Sequence, residues 1–145
     1  MAEVLVDAYE FGCALTDKIR RWRRLADKSI SPLGLTLGEF RVLRVLSESG
    51  PTPMVDLAKE QTITQAAMTS IVDHLQELKF IERMKNEADR RVVKVGITNG
   101  GQEEVKKGLR LYRKFIEKST RNLTPNERRG LLATLDHMLE AAESA

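Results

Sequence analysis

The chain has 145 residues, enough for one well-buried domain or for a small module plus helices that complete their core on a partner. Its 24 Lys and Arg against 21 Asp and Glu leave a net charge of +3, too small to argue for a polyanionic partner, so that case rests on where the charges sit. One cysteine excludes an internal disulfide and, with only two histidines, argues against a structural zinc site; no apolar run is long enough to span a membrane, and Glu3 and Asp7 interrupt any signal pattern, so a cytoplasmic protein is expected.

Residues 3–29 read as a first helix with Val4, Val6, Ala8, Phe11, Leu15, Ile19, Trp22 and Leu25 as apolar positions, stopped by Ser31-Pro32. Its stretch Lys18 to Lys28 is basic, with Arg20, Arg21, Arg23 and Arg24 against Asp27. Thr36 and Glu39 form a capping-box pair that opens a second helix through Phe40, Leu43 and Leu46, ended by Gly50-Pro51. Thr52-Pro53 is expected to start a short third helix reaching Gln61. Thr64 caps a fourth, with Ile63 placed to staple onto Met68. The core stripe of this helix is Met68, Ile71, Val72, Leu75 and Leu78. Gln65, Ala66, Thr69, Ser70, Asp73, His74 and Glu77 stay outside, and the first five are short and mostly uncharged.

Two extended runs follow, Phe80 to Met84 and Val92 to Ile97, the second expected to turn Val93, Val95 and Ile97 inward and Val92, Lys94 and Gly96 outward. Between them lies KNEADRR, whose one apolar residue is Ala88, so the hairpin tip is exposed and Arg90 and Arg91 extend from the body. From Lys79 to Lys94 there are six basic residues against three acidic ones. A helix with a small polar face followed by a basic hairpin reads as a recognition helix and a wing. Gln, Thr and Ser reach base edges in a major groove, and an arginine on a narrow ribbon suits a minor groove. Asp89 fits such a loop by accepting hydrogen bonds from an arginine and fixing its direction.

Thr98 caps a fifth helix in which Val105, Leu109, Tyr112 and Ile116 form a seam widened by Leu111 and Phe115. Thr124-Pro125-Asn126-Glu127 starts a last helix along Leu131, Leu132, Leu135, Met138, Leu139 and Ala142. These terminal helices carry more apolar surface than a small central module can cover, which points to a homodimer with Phe11, Val105, Leu109, Tyr112, Ile116, Leu131, Leu135, Met138 and Leu139 in its interface.

The run from Leu57 to Thr98, followed by Asn99-Gly100-Gly101, resembles the core of the MarR family of transcriptional regulators. Asp89-Arg90-Arg91, Ile97-Thr98 and Gly101 carry the closest match, and length and helix order extend it over essentially the whole chain. The resemblance implies a mainly α fold with a small antiparallel β-hairpin. Residues 31–98 would form a winged helix-turn-helix DNA-binding region, with 1–30 and 99–145 as helical dimerisation regions. It implies Gln65, Thr69 and Ser70 in the major groove, with Thr64, Ala66 and His74 nearby, and Arg90 or Arg91, oriented by Asp89, in the minor groove. The chain departs from the family at Thr62 and Lys79, where members often carry glycine.

Some members bind a small aromatic acid between the dimerisation helices and the winged helix. By resemblance Arg20 and Tyr112 occupy two places of that pocket, with Leu37 and Phe40 on its second-helix wall. Leu37 stands where a tyrosine can occur and Asp17 where a second basic group can, which leaves the pocket less attractive to a carboxylate. A redox-sensing branch uses a lone cysteine near the start of the first helix. Cys13 lies there, but no tyrosine adjoins it, and a buried, inert cysteine is expected.

No nucleophile and base pair, metal-ligand spacing or phosphate-cradling loop appears, His74 and His137 stand far apart, and Gly100-Gly101 lacks the wider nucleotide fingerprint. Neither enzymatic activity nor a cofactor is expected; double-stranded DNA and a second copy of the chain are the expected partners, and the resemblance leaves room for a small aromatic ligand. The rival is a winged helix used for protein contact, which apolar residues on the fourth helix's outer face would mark.

Overall fold

The computed structural model describes residues 7–144. Val4 and Val6 lie outside the described residues. Helix α1 (Ala8–Ser29) begins after Asp7, whose extended backbone and side chain, accepting from Glu10 N at 2.9 Å, cap it. A 3-10 turn (Ser31–Leu33) leads to α2 (Leu37–Ser49), closed by the complete Thr36–Glu39 capping box and ended at Gly50. Then come β1 (Thr52–Pro53), α3 (Met54–Glu60), α4 (Gln65–Glu77), β2 (Ile81–Lys85), β3 (Val93–Ile97), α5 (Asn99–Thr120) and α6 (Pro125–Glu143). The chain falls into two compact units, one reaching Tyr112 and the other starting at Arg113.

In the first unit the core gathers Val42, Leu43, Leu46, Leu57, Met68, Val72, Leu75, Ile81 and Val95, so α2, α3 and α4 close on the sheet. That sheet is antiparallel in the order β1-β3-β2, with Arg83 opposite Val95 and Thr52 also paired to Val95. Thr52-Pro53 is therefore a strand and not the start of α3. Proline is tolerated there because β1 is an edge, where its missing N–H breaks no ladder bond.

The inward pattern expected of β3 holds only in part. Val95 is fully buried and Ile97 half-buried, but Val93 is 40% exposed because the hairpin has run past the layer beneath it. Gly96 faces a packed environment: a Cβ there would lie 2.8 Å from Met84 Sδ. Leu78, expected in the core stripe of α4, is 39% exposed because the helix has already ended at Glu77.

Helix α5 is capped by Thr98, whose Oγ1 accepts from Gly101 N at 3.1 Å and donates to Lys79 O at 2.7 Å. Val105 is buried in the core of this unit, which removes it from the surface available to a partner. One turn on, Gly108 lets α5 approach α2, since a Cβ there would stand 2.2 Å from the Phe40 ring. Tyr112 then meets Phe40 with ring centroids 6.3 Å apart. In the second unit Thr124 caps α6 by accepting from Glu127 N at 3.1 Å. No described residue of α6 is buried, and Leu131, Leu132, Met138 and Leu139 are exposed.

Candidate nucleic-acid interface

Two turns shaped by positive φ position the fourth helix. Thr62, at φ 55°, donates from its N–H to Lys59 O while Ile63 N reaches Ala58 O. Lys79, at φ 62°, repeats the pattern, its N–H donating to Gln76 O and Phe80 N to Leu75 O. Both are Schellman ends, the geometry that glycine adopts without strain. The two positions at which the resemblance leads one to expect glycine are thus the two non-glycine residues with positive φ among the described residues.

Thr64 starts α4 by accepting from Ala67 N at 3.1 Å. Met68, Val72 and Leu75 are buried, so Gln65, Ala66, Thr69 and Ser70 are turned to solvent together. Thr69 Oγ1 donates to Gln65 O at 2.9 Å, which leaves its oxygen lone pairs outward. The outer face of α4's first two turns carries no large apolar residue, contrary to what a protein-docking helix presents. His74 does not join this set: its Nδ1 lies 3.0 Å from Oε1 of Glu39, the residue that closes the capping box of α2. Asp73 and Gln76 are held by the Arg83 guanidinium.

The hairpin tip is organised by Asp89. Its carboxylate accepts from Arg91 N at 3.0 Å, from Arg91 Nε at 3.1 Å and from Arg91 Nη2 at 3.2 Å, while Val92 N returns to Asp89 O at 3.0 Å. The Arg91 guanidinium, followed by the Arg91 N–H, holds the carboxyl of Asp89 below the ordinary aspartate range. Arg91 is thus the arginine whose direction Asp89 fixes. Arg90 is exposed and makes no hydrogen bond or ion pair with the other described residues. A groove of about 370 Å³ is lined jointly by Gln65, Met68 and Thr69 of α4, by Arg91, Val92 and Val93 of the hairpin and by Met54 and Val55 of α3.

A second, smaller cavity of about 140 Å³ is lined by Leu37, Phe40, Arg41, Arg44 and Tyr112. Three of the four residues expected in an effector pocket meet here. Arg20 is not among them; it pairs with Asp17 at 3.2 Å on α1. Arg41 and Arg44 were missed, although Leu37, Phe40, Arg41 and Arg44 follow the steps of one helical face, a signal readable in the sequence. Arg44 Nε is buried without a hydrogen bond, and its nearest anion is Glu48 Oε1 at 3.8 Å. Cys13 is exposed, not buried, and lines a groove on α1 with Tyr9 one turn away. Of the residues expected at a dimer interface, Phe11, Leu109, Leu131, Met138 and Leu139 are exposed, and Tyr112, Ile116 and Leu135 are half-buried. Among the described residues no acidic, histidine or cysteine cluster could hold a metal, and no helix is long and apolar enough to cross a membrane.

The MarR family model matches residues 35–93. The chain is 30% identical over 118 residues to the multiple antibiotic resistance protein MarR of Escherichia coli, covering 81% of this chain and 79% of that protein. A crystal structure of a MarR mutant from that organism, complexed with operator DNA, aligns with a TM-score of 0.77 at 28% identity over 90% of this chain and 91% of the other. BpsR of Bordetella bronchiseptica, whose DNA binding is regulated by 6-hydroxynicotinic acid, aligns with a TM-score of 0.82 at 26% identity, covering 92% and 95%.

Proposed function

The chain belongs to the MarR family of transcriptional regulators and is a DNA-binding regulator, and we propose that it acts as a homodimer on a pseudo-palindromic operator and represses transcription by occupying the promoter. One observation carries this reading: the small polar face of α4 and the Asp89-oriented Arg91 share a single groove. Gln65, Thr69 and Ser70 would read base edges in the major groove while the hairpin arginines follow the adjacent minor groove. The exposed apolar faces of α1 and α6 supply surface for a second copy. Selection of bound duplexes from a random-sequence pool tests the reading; recovery of a two-fold symmetric consensus is expected, and no enrichment would overturn it.

The second cavity supports a reading in which a small ligand releases the protein from DNA. Phe40 and Tyr112 line it with aromatic rings, and the Nε of Arg44, which makes no hydrogen bond and has only the Glu48 carboxylate near it at 3.8 Å, offers a donor to a carboxylate, so a small aromatic acid suits the site. Binding would release the operator if the ligand prefers a different setting of α2 against α5. Titration with benzoate should weaken operator binding in the wild type and not in Arg44→Met; equal responses in the two would remove Arg44 from the site.

A redox reading is favoured by one observation, the exposure of Cys13 beside Tyr9. Peroxide would convert the Cys13 thiol to a sulfenic acid and weaken operator binding. Unaltered binding after peroxide treatment, with mass spectrometry confirming the oxidised thiol, would exclude it.

A further inference from the structure

No residue from Met84 to Lys94 is buried, so the outer hairpin has no hydrophobic anchor to set its direction against α4. Arg83 stands at the root of that stretch. It lies opposite fully buried Val95 in the central strand and two residues beyond buried Ile81, so its backbone belongs to the rigid part of the sheet. From there one guanidinium nitrogen donates to Asp73 Oδ1 and another to Gln76 Oε1. Asp73 and Gln76 continue, at steps of four and three, the helical stripe that presents Gln65 and Thr69. A planar fork gripping two acceptors on one helix resists rotation as well as separation, which a single hydrogen bond does not.

We propose that Arg83 is a positioning residue for DNA reading, fixing the angle between the recognition helix and the wing so that base contacts and minor-groove contacts form together. The inference rests on the DNA-binding reading of α4 and the hairpin. It separates from the plainer role of a basic residue on phosphate by the sign of one substitution. Removing the Asp73 carboxylate should strengthen binding if Arg83 touches DNA, because a negative charge leaves the surface. It should weaken binding if Asp73 is half of the clamp.

The test uses the duplex that the wild-type chain enriches from a random-sequence pool. Arg83→Lys keeps the charge and loses the fork; Asp73→Ala keeps the arginine and loses its acceptor; Gln76→Ala is the milder variant. Arg83→Lys and Asp73→Ala should each bind about tenfold more weakly at an unchanged melting temperature, with Gln76→Ala following in the same direction. In either background the loss caused by Arg91→Ala should shrink, because the wing is no longer held in place. Tighter binding by Asp73→Ala, wild-type affinity in Arg83→Lys, or an undiminished Arg91→Ala effect would each overturn the clamp while leaving DNA reading intact. Failure of the wild type to enrich any duplex would overturn both.

Discussion

Arg91 lays two guanidinium nitrogens on the two carboxylate oxygens of Asp89, at 3.1 and 3.2 Å, while its own side chain stays 91% exposed. The pair contributes little to stability at such exposure. Its effect is directional, since a long side chain that would sample many rotamers is held along one line from the hairpin tip.

Arg91→Ala should therefore cost on the order of 1–3 kcal/mol of operator affinity with little change in preferred sequence. Asp89→Ala should weaken binding in the same direction and by less. The carboxyl of Asp89 is lowered by Arg91 in the folded chain, so the lock is complete above the ordinary aspartate range and is lost as pH falls through the lowered value. Fluorescence anisotropy from about pH 5 to 8 should show no step attributable to Asp89.

Gln65→Ala is expected to relax discrimination at one or two base pairs per half-site without uniform weakening, because phosphate contacts position and base contacts specify. Repeating the pool selection with this variant checks it; an unchanged consensus would show that Gln65 reads no base.

Thr62 and Lys79 hold the left-handed backbone against the preference of any residue with a Cβ. Thr62→Gly should raise stability by about 1 kcal/mol and Lys79→Gly by somewhat less, since β-branching makes threonine the more strained of the two. Urea denaturation midpoints decide this, and destabilisation by both glycines would show the turns to be relaxed.

Gly108→Ala should destabilise the first unit by about 1–3 kcal/mol, because its Cβ would enter the Phe40 ring and force α5 away from α2. The same displacement opens the wall between Phe40 and Tyr112, so benzoate response should change along with stability. An unchanged melting temperature would sink the packing argument.

Sedimentation at micromolar concentration should return a dimer, and a full operator with half-site centres about 10 bp apart should bind far more tightly than a half-site. A monomer that binds both alike would contradict the two-fold arrangement. Leu131→Glu with Leu132→Glu, at two exposed apolar positions of α6, should shift the equilibrium toward monomer.

What the sequence made legible was local. Thr36, Thr64, Thr98 and Thr124 announce helix starts because a cap is satisfied within three residues, and the strain at Thr62 and Lys79 is visible as missing glycines. The pairing of Thr52-Pro53 with Val95 and Lys94 depends on strand partners far along the chain, and no local pattern marks it. Val93 and Val105 look alike in an apolar pattern; one ends on an unsupported ribbon and the other under α2, a difference only packing makes. At the cavity, the helical spacing of Leu37, Phe40, Arg41 and Arg44 is written in the sequence, but which residue of another helix meets that face is settled only by packing, which brings Tyr112 of α5 there and not Arg20 of α1.

Glu39 closes the first turn of α2 with one carboxylate oxygen and holds His74 of α4 with the other, at 3.4 Å to Thr36 N and 3.0 Å to His74 Nδ1. In the same turn Leu37 N donates to Asp27 Oδ1 of α1 at 2.7 Å. Three helices are thereby geared through a single turn, and Leu37 and Phe40 of the same helix wall the cavity. A ligand that pushed this turn outward would drag the last turn of α4 with it or break the bond to His74; Glu39→Gln should then act as a slipping gear, seen as a smaller benzoate effect on operator binding at an unchanged operator affinity.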